Sequence, residues 1–320
     1  YQSDSTRIEV EVNSSVDTFF MSVFNLFTAG DYSKVDVSAR AVAESVWTVA
    51  EASGGGFAIF AMQTGCDSND EKSVDISGSD DVFIGRVHSN SDIYVSGSNS
   101  TFTGDTTTMC QDNDDHDDPV YGGGSDNTYS PAPEMGPHEP DPIDKDWHHF
   151  CPPEPGQGYS GSSDWDLSSD GSWWVGGTKD SKQLMPGVYC STGLLKLGDS
   201  DITIADVNGL SGITFVAETI NISGSNFQLK AFKDNILFAA YGNTDYAMDV
   251  SGSGGSWAGL IYAPNGEAEL SGQNNGQDDF DLTGGVIGDR VKFNGSNASI
   301  DGTIGLGAAA DPEQVVSLIE

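Results

Sequence analysis

The feature that most constrains this chain is a corner phrase, Ser-Gly or Asn-Gly, that follows one short apolar strand after another. Aligned on the corner, four stretches read VHSNSDIYVSGSN (87–99), FVAETINISGSN (215–226), IYAPNGEAELSGQN (261–274) and VIGDRVKFNGSN (286–297). Gly and Asn tolerate the positive φ that a sharp corner requires, and Ser and Asn side chains can satisfy the backbone groups left unpaired there. The repeated phrase therefore predicts a chain that turns at the same point many times.

The spacing of the corners is typical of a β-solenoid, in which each period forms one coil. Corners at Ser77 and Ser96 lie 19 residues apart. Later intervals are 28, 20 and 23 residues, between Ser223, Ser251, Ser271 and Asn294. We predict a mainly β fold, a parallel β-helix. A β-sandwich is the alternative, but it does not explain a recurring corner.

The alternation within these strands predicts which side chains face the core. We expect an inward apolar row made of Ile76, Ile93, Val95, Ile220, Ile222, Val250, Leu270, Val291 and Phe293. We expect an outward row made of Asp75, Tyr94, Asn221, Asp249, Glu269 and Lys292.

The chain before the repeats has a different pattern. Residues 1–54 predict a small strand–helix–strand unit, because RIEVEV (7–12) and KVDVSARAVA (34–43) alternate as strands do. Between them Asp17 can cap a helix running TFFMSVFNLF, whose apolar residues cover more than one face and predict burial.

Two later segments also depart from the repeat. Within the β-helix at 55–307, a Pro- and Asp-rich stretch at 105–185 has no clear period and predicts a long projecting loop insertion. The tail at 308–320 predicts a short helix beginning near Asp311 and Pro312.

The charge of the chain excludes several classes of partner. It carries 49 acidic and 13 basic residues, a formal net charge of −36, and 36 of the acidic residues are Asp. So few cations cannot neutralise nucleic acid or an anionic membrane surface. The excess keeps copies apart unless cations screen it, as salt or a calcium-rich exterior would do. No run of 18 apolar residues occurs, so we predict no membrane insertion.

The four cysteines predict an oxidising compartment. None is in CxxC spacing, and their even number in an acidic chain favours two disulfides, with four buried thiols as the alternative. Cys110 and Cys151 bracket the predicted insertion, so we expect them to pair, and Cys66 to pair with Cys190. The sequence alone leaves two other pairings open.

Calcium is the cofactor that the sequence favours. In DWDLSSDG (164–171), Asp166, Ser168 and Asp170 occupy oxygen-donor positions of a calcium loop, although the bidentate Glu expected later is absent. The acidic run containing Asp112, Asp114 and Asp117 offers further hard oxygen ligands. A solvated acidic loop is the alternative for both segments.

Two sets of residues could contact or carry carbohydrate. Trp165, Trp173 and Trp174 could form a stacking platform for a sugar, or could pin an irregular loop to its scaffold. Five Asn-x-Ser/Thr sequons also permit N-glycosylation, namely those at Asn13, Asn99, Asn221, Asn294 and Asn297. They coincide mostly with the corners, which makes incidental matches the expectation for most of them.

The motif set of one class of β-helix enzymes is incomplete in this chain. The polygalacturonase group shows Asn-Thr-Asp, Asp-Asp, Gly-His-Gly and Arg-x-Lys in order. This chain has Asn-Thr-Asp at 243–245, Asp-Asp at 278–279 and Arg-Val-Lys at 290–292, but no His follows His149. We therefore expect no enzymatic activity.

Several phrases resemble TadE/TadG-like proteins of Tad (tight-adherence) pilus systems. They include GRVHSNSDIYVSGSNSTFTG, MPGVYCSTG, ITFVAETINISGSN, WAGLIYAPNGEAELSGQNN and GGVIGDRVKFNGSN, with VEVNSSVDTFFMSVFNLF near the start. In that group a pilus-assembly-like N-terminus precedes a bactofilin-like or pectate-lyase-like parallel β-helix. The resemblance covers roughly 1–102 and 186–305 and implies a surface-exposed, non-enzymatic part in adhesion. Such proteins usually begin with a transmembrane helix, which this sequence lacks, so we expect a cleaved, released form.

Together these patterns predict an extracellular structural protein, a subunit or accessory of an adhesive surface filament or pilus, stabilised by cations. Its expected partners are copies of itself, surface polysaccharide and other pilus components. We expect end-to-tail assembly, with ASIDGTIGLG (298–307) as the exposed last coil. The alternative is a secreted β-helix that binds or degrades carbohydrate.

Overall fold

The chain forms two compact units in a computed structural model. The first unit comprises residues 1–50 and 311–320, and the second comprises residues 51–310. The structure describes residues 6–17, 34–46, 56–66, 72–110, 118–143, 147–151, 158–160, 164–169, 171–207, 209–271, 280–303 and 315–319.

The first unit is a three-stranded antiparallel sheet. Its strands are β1 (Thr6–Asp17), β2 (Lys34–Val46) and β27 (Val315–Ile319), with β2 in the centre. The two predicted N-terminal strands are confirmed, and the helix predicted to start at Asp17 lies outside the described residues.

The prediction of a helix in the C-terminal tail is wrong, because Val315–Ile319 pairs antiparallel with residues 42–46 of β2. Val, Leu and Ile suit a strand that has a partner. The partner is distant in sequence, so a local pattern could not reveal it.

The remaining strands belong to the second unit. Those before residue 136 are β3 (Phe57–Ala61), β4 (Val74–Ile76), β5 (Val82–Ile84), β6 (Arg86–Ser89), β7 (Ile93–Val95), β8 (Thr101–Thr103), β9 (Thr106–Thr108), β10 (Val120–Tyr121), β11 (Thr128–Ser130) and β12 (Glu134–Met135). We call them the N-terminal run.

The strands after residue 157 form the C-terminal run. They are β13 (Gly158–Ser160), β14 (Trp165–Asp166), β15 (Gln183–Leu184), β16 (Gly187–Cys190), β17 (Leu194–Leu197), β18 (Thr203–Ile204), β19 (Ile213–Ala217), β20 (Thr219–Lys230), β21 (Ile236–Ala240), β22 (Met248–Ala258), β23 (Leu260–Leu270), β24 (Phe280–Thr283), β25 (Val286–Phe293) and β26 (Ala298–Asp301). Helical structure is confined among the described residues to α1 (Trp147–Phe150) and short 3-10 turns within 171–181.

The strands of the second unit form one large sheet, and each pairs in parallel with the equivalent strand of the next repeat. The pairings make three ladders. One begins β13–β16–β19, the second β14–β17–β20 and the third β15–β18–β20. The mainly β prediction is therefore confirmed, with a large parallel sheet.

The order of the repeats in space differs from their order in the chain. At the end of the C-terminal run, β25 pairs with β3 and β4, and β26 pairs with β5. The first repeat of the N-terminal run therefore stacks on the last repeat of the C-terminal run. We call this contact the junction. The prediction that 298–307 forms an exposed last coil is wrong, because β26 lies between β24 and β5.

The prediction of a projecting insertion at 105–185 is also wrong in large part. Strands β9 to β12 continue the N-terminal run, and β13 to β15 begin the C-terminal run. These strands have only two or three residues and are separated by Pro and Gly, so their period is invisible in the sequence.

The inward row is confirmed. Its nine side chains are each at most 4% exposed and belong to the main core cluster. The core also contains stacked aromatic rings: Phe102 lies 4.7 Å from Tyr129 and 4.9 Å from Phe83, ring centre to ring centre. Phe83 in turn meets Phe293 edge-on at 5.6 Å across the junction. The core therefore continues through the junction without a break.

The corner phrase has a direct geometrical reason. Its fourth residue adopts a left-handed conformation in repeat after repeat, at Asp80, Asn99, Asp126, Asp201, Asn226, Gly254 and Asn297, with φ between 56° and 65°. Asn, Asp and Gly are the residues that tolerate this conformation best. We call these residues the corner column.

The second residue of the corner phrase is glycine because the backbones of neighbouring repeats approach closely at this point. A Cβ on Gly97 would lie 1.5 Å from the carbonyl oxygen of Gly78, and one on Gly78 would lie 1.7 Å from that of Gly295. The second contact crosses the junction, so the repeats are packed equally closely there.

Residues 136–143 and 147–151 lie along the outside of the first ladder, and we call them the strap. Glu139 contacts the N-terminal run, while the Asp141 carboxylate accepts a hydrogen bond from the Tyr262 hydroxyl at 2.6 Å. Ile143 and Phe150 pack on a second apolar cluster that includes Val216 and Tyr262. The strap thus covers apolar side chains on the outer face of this ladder.

Two disulfides are present, which confirms that the four cysteines are bonded, but the expected pairing is wrong. Cys66 bonds Cys110, and Cys151 bonds Cys190. Cys110 follows β9, and Cys66 lies in the loop after β3. Cys151 is the last residue of the strap, and Cys190 is the last residue of β16. The expectation that Cys110 pairs with Cys151 across a projecting loop failed because β10, β11 and β12, which lie between them in the chain, are part of the stack.

Candidate functional site

The outer face of the second ladder carries a continuous row of polar side chains. From β17 onward its register aligns one outward side chain from each repeat, in the order Lys196, Asn221, Asp249, Glu269, Lys292, Asp75, Tyr94 and Tyr121. We call this set the polar ladder. The predicted outward row is confirmed, and the structure adds Lys196 and Tyr121 and the order, which crosses the junction.

The middle of the polar ladder is a network of ion pairs and hydrogen bonds. Lys292 Nζ lies 3.1 Å from Glu269 Oε1, and the Asn294 amide donates to the same oxygen at 2.7 Å. The Asn221 amide donates to Asp249 Oδ2 at 3.1 Å. Side-chain contacts therefore add to the backbone pairing between β20 and β22 and between β23 and β25.

Beside this row, Arg290 holds two further carboxylates. Its Nη2 lies 3.0 Å from Asp245 Oδ1 and 3.7 Å from Glu267 Oε2. Arg290 and Glu267 are largely buried, whereas the Asp245 side chain is 79% exposed. The guanidinium thus positions an exposed carboxylate at the margin of the face.

Burial shifts the titration of the ladder carboxyl groups. Burial raises the pKa of Asp75 and of Glu267, although nearby cations oppose the shift. Burial also raises the pKa of Asp249, and the neighbouring Glu269 carboxylate adds to that shift. Burial alone would lower the pKa of Lys292, but its hydrogen bond and charge contact with Glu269 raise it. Perturbed carboxyl groups gathered on one face are typical of functional sites, although ion-pair networks also produce them.

The other end of the polar ladder is aromatic. The rings of Tyr94 and Tyr121 meet edge to face with their centres 5.2 Å apart, and Lys72 Nζ lies 3.0 Å from the centre of the Tyr94 ring. The Tyr121 hydroxyl donates to Asp92 Oδ2 at 2.5 Å. Partly exposed rings with polar edges suit contact with sugar rings.

The residues that match the polygalacturonase pattern are partly brought together. Asp245 contacts Arg290, and Lys292 projects from the same strand as Arg290. Asp278 and Asp279 lie outside the described residues. The chain therefore supplies carboxylates and cations on one face, while the histidine of that pattern has no counterpart in the sequence.

The predicted calcium residues do not converge among the residues that the structure describes. Asp166 Oδ1 accepts a hydrogen bond from the Ser168 backbone N–H at 2.9 Å, and Ser168 Oγ accepts one from the Gly198 N–H at 2.7 Å. These oxygens stabilise a turn and its contact with the next repeat. Outside the described residues lie the other proposed ligands, Asp112, Asp114, Asp117 and Asp170. No group of three or more His, Cys, Asp or Glu in the described part of the chain could hold a metal ion.

The three tryptophans occupy the first repeat of the C-terminal run. Trp165 and Trp174 are 7% and 2% exposed and lie in the main core, with Trp173 partly buried against it. The Trp174 indole N–H donates to the Leu167 carbonyl at 3.0 Å. Trp165 and Trp174 therefore have no exposed face on which a sugar could stack, and they anchor their segment to the core, as the alternative interpretation predicted.

Sequence reasoning missed a polar clasp under the strap. The Asn90 amide donates to the Glu139 carbonyl, and its oxygen accepts from the Glu139 N–H, both at 2.7 Å. His88 is fully buried beside Asn90, and burial lowers its pKa. Arg86 forms an ion pair with the Glu139 carboxylate. The pairing of Asn90 with a backbone segment 49 residues away has no signal in the sequence.

Comparison with known proteins gives one match. Residues 169–303 match a domain of unknown function, DUF7305. The match ends with the last repeat of the C-terminal run, at the junction, and includes the polar ladder from Lys196 to Lys292. No curated protein and no solved structure matches the chain. Among the described residues, none of the helices has the length and apolar character needed to cross a bilayer.

Proposed function

We propose that the second unit is a parallel β-helix and that this protein is an extracellular structural protein, a subunit or accessory of an adhesive surface filament. The observation that carries the proposal is the set of three parallel ladders that run through both runs of repeats. A recurring left-handed corner and a close-packed glycine favour a coil that winds the same way in each repeat.

The extracellular location is supported by covalent chemistry and charge. Two disulfides persist in oxidising surroundings, and reducing compartments disfavour them. A net charge of −36 keeps such a protein dispersed until salt or divalent cations screen it. Calcium stays a prediction, in which the acidic run near Asp112 is the binding segment.

The polar ladder is the proposed adhesive surface. Adjacent strands in a sheet are spaced by about 4.8 Å, so the ladder repeats donors, acceptors and aromatic edges at a regular interval. An extended polysaccharide offers hydroxyl groups at intervals of similar size, and sugar faces can stack on Tyr94 and Tyr121. Surface polysaccharide is therefore the partner that this face fits.

Self-assembly is proposed to involve the outer end of the N-terminal run. Among the described residues, β10, β11 and β12 each have a parallel partner on one side only, and Met135 is 44% exposed. At the opposite end of the stack, Trp174 is buried and forms an isolated antiparallel bridge with Leu184. Pro131 and Pro133 interrupt the free edge, which limits strand addition and favours side-chain contact.

Electron microscopy and light scattering test the structural role. Purified full chain at high salt with calcium should form filaments or higher oligomers, and these should dissolve when salt is removed. Met135→Asp should weaken assembly, whereas Leu210→Asp, at a residue that is 48% exposed elsewhere, should not. A monodisperse monomer under all of these conditions would rule out the filament.

A second candidate function is binding or cleavage of an anionic polysaccharide, favoured by the contact of Asp245 with Arg290 beside Lys292. Binding to polygalacturonate should fall in Lys292→Ala and Tyr94→Ala, whereas binding to an uncharged glucan should fall in Tyr94→Ala alone. Lys230→Ala, an exposed lysine on β20, is the control. Release of reducing ends that is lost in Glu267→Gln would indicate hydrolysis, and binding without release would indicate adhesion.

A further inference from the structure

We propose that Asn99 and Asn297 are the N-glycosylation sites of the second unit. Both lie in Asn-x-Ser/Thr sequons, Asn99-Ser100-Thr101 and Asn297-Ala298-Ser299. Both side chains are exposed, while the residue that follows each of them is buried. The sequence offers five equivalent sequons, and the structure distinguishes among them.

The two asparagines stand at the same point of the corner. Both adopt the left-handed conformation, with φ of 61° at Asn99 and 56° at Asn297. Asp80 lies between them in the corner column, because the Asp80 N–H donates to the Ser98 carbonyl and the Asn297 N–H donates to the Ser79 carbonyl. Two strand spacings separate the sites, about 10 Å. Glycans on both would line one edge of the stack.

The other two sequons whose side chains are described have amides engaged in the polar ladder. The Asn221 amide donates to Asp249, and the Asn294 amide donates to Glu269 while its oxygen accepts from Ser77 Oγ at 2.6 Å. Both side chains are half-buried. A glycan on either nitrogen would remove these bonds and displace the neighbouring repeat, so the folded protein does not accommodate one there.

No comparable contact ties down the Asn99 or Asn297 amide among the described residues. Their backbone N–H groups bond the adjacent repeat, but neither side chain forms a hydrogen bond there. A sugar attached to either nitrogen therefore extends into solvent without a cost to the fold. Asn13 is also in a sequon, on β1, and its side chain lies outside the description.

The modification needs a lipid diphosphate-linked oligosaccharide as donor and an oligosaccharyltransferase as catalyst. The Asn amide nitrogen bonds to the anomeric carbon of the first sugar, and the bond from that carbon to the phosphate oxygen breaks. The lipid diphosphate leaves with the electron pair, and the amide nitrogen gives up one proton. No oxidant or reductant is required.

The test is glycopeptide mapping of the full chain secreted from a host that glycosylates Asn-x-Ser/Thr sequons, with a known glycoprotein expressed alongside. Peptides containing Asn99 and Asn297 should carry glycan, and those containing Asn221 and Asn294 should not. Unmodified Asn99 and Asn297 in cells that glycosylate the companion protein would overturn the proposal. Equal occupancy at Asn221 and Asn294 would overturn it too.

Variants can be chosen that preserve the corner. Asn99→Asp keeps a residue that the column already uses at Asp80 and Asp126, and it should remove the mass of one glycan. Thr101→Ala should do the same without changing Asn99, and Thr101→Ser should restore the glycan. Asn226→Asp is the matched control, an exposed corner asparagine followed by Phe-Gln and thus outside a sequon, and its glycan mass should be unchanged. Retention of full mass in Thr101→Ala would contradict the assignment.

Discussion

The junction and the contacts within each run use the same interactions, although only the latter join repeats that follow one another in the chain. Within the N-terminal run, Gly97 approaches the Gly78 carbonyl; across the junction, Gly78 approaches the Gly295 carbonyl in the same way. The corner, the aromatic stack and the polar ladder all continue through it. Repeats of this kind are therefore interchangeable as neighbours, and the stack does not require covalent continuity.

The two contacts differ in what secures them. Asp81 on the N-terminal side accepts a hydrogen bond from the Ala298 N–H at 3.0 Å, and the Ser77 hydroxyl donates to Asn294. The strap then passes over both runs and ends at a disulfide on β16. The Asp81 contact has a counterpart within the N-terminal run, where Asn127 Oδ1 accepts a hydrogen bond from the Ser100 N–H at 2.9 Å, so the strap is what distinguishes the junction.

The largest expected effect comes from filling the glycine column. Gly97→Ala, within a run, and Gly78→Ala, at the junction, should each destabilise the fold by more than about 4 kcal/mol, because backbone oxygen occupies the space of the new Cβ. Chemical denaturation and secreted yield measure the loss. Gly123→Ala is the control, since nothing lies within 4 Å of its added Cβ. A tolerated Gly78→Ala beside a damaging Gly97→Ala would show that the junction is looser than the runs.

Removal of either disulfide should cost about 4 kcal/mol, since the bonds close loops of 44 and 39 residues. Cys66→Ala/Cys110→Ala affects the N-terminal run alone, whereas Cys151→Ala/Cys190→Ala frees the end of the strap. Only the second pair should expose the strap to limited proteolysis. Equal cleavage in both double variants would mean that the strap is held by its other contacts.

The junction should also depend on pH through Asp81. Burial raises the pKa of Asp81 to about 7, and one of its oxygens is buried without a hydrogen-bond partner. The unfolded chain loses this proton near pH 4 while the folded chain keeps it, so stability falls as pH rises from about 4 to about 7 and then levels off. Asp81→Asn should reduce this slope and stabilise the protein above pH 7 by roughly 4 kcal/mol. Identical slopes in thermal melts of both proteins from pH 4 to 8 would contradict the assignment.

The smallest effect is expected at the clasp of the strap. Asn90→Ala removes both hydrogen bonds to Glu139 and should cost about 2 kcal/mol, because half-buried backbone groups lose their partners. Tyr262→Phe removes one bond, to Asp141, and should cost about 1 kcal/mol. Urea denaturation measures both losses. A larger effect for Tyr262→Phe would place the main attachment of the strap on the C-terminal run.

The sequence by itself determined the repeat and its two faces. Positive φ at the corner favours Asn, Asp and Gly at that position. Asn99 and Asn226 can therefore be recognised as corner residues from the sequence alone. Alternation with period 2 separates Ile93 from Tyr94, because successive side chains in a strand point to opposite sides. Most of the polar ladder could therefore be predicted, although not the order of its members.

Only the tertiary structure decided which repeat meets which. Backbone pairing and a glycine column are the same at every edge, so nothing local distinguishes β5 from another partner for β26. The pairing is visible only in contacts of the completed fold, such as that of Asp81 with Ala298, between residues 217 apart in the chain. The Cys151–Cys190 bond and the pairing of β27 with β2 follow from the same cause, since each joins segments that only the completed fold brings together.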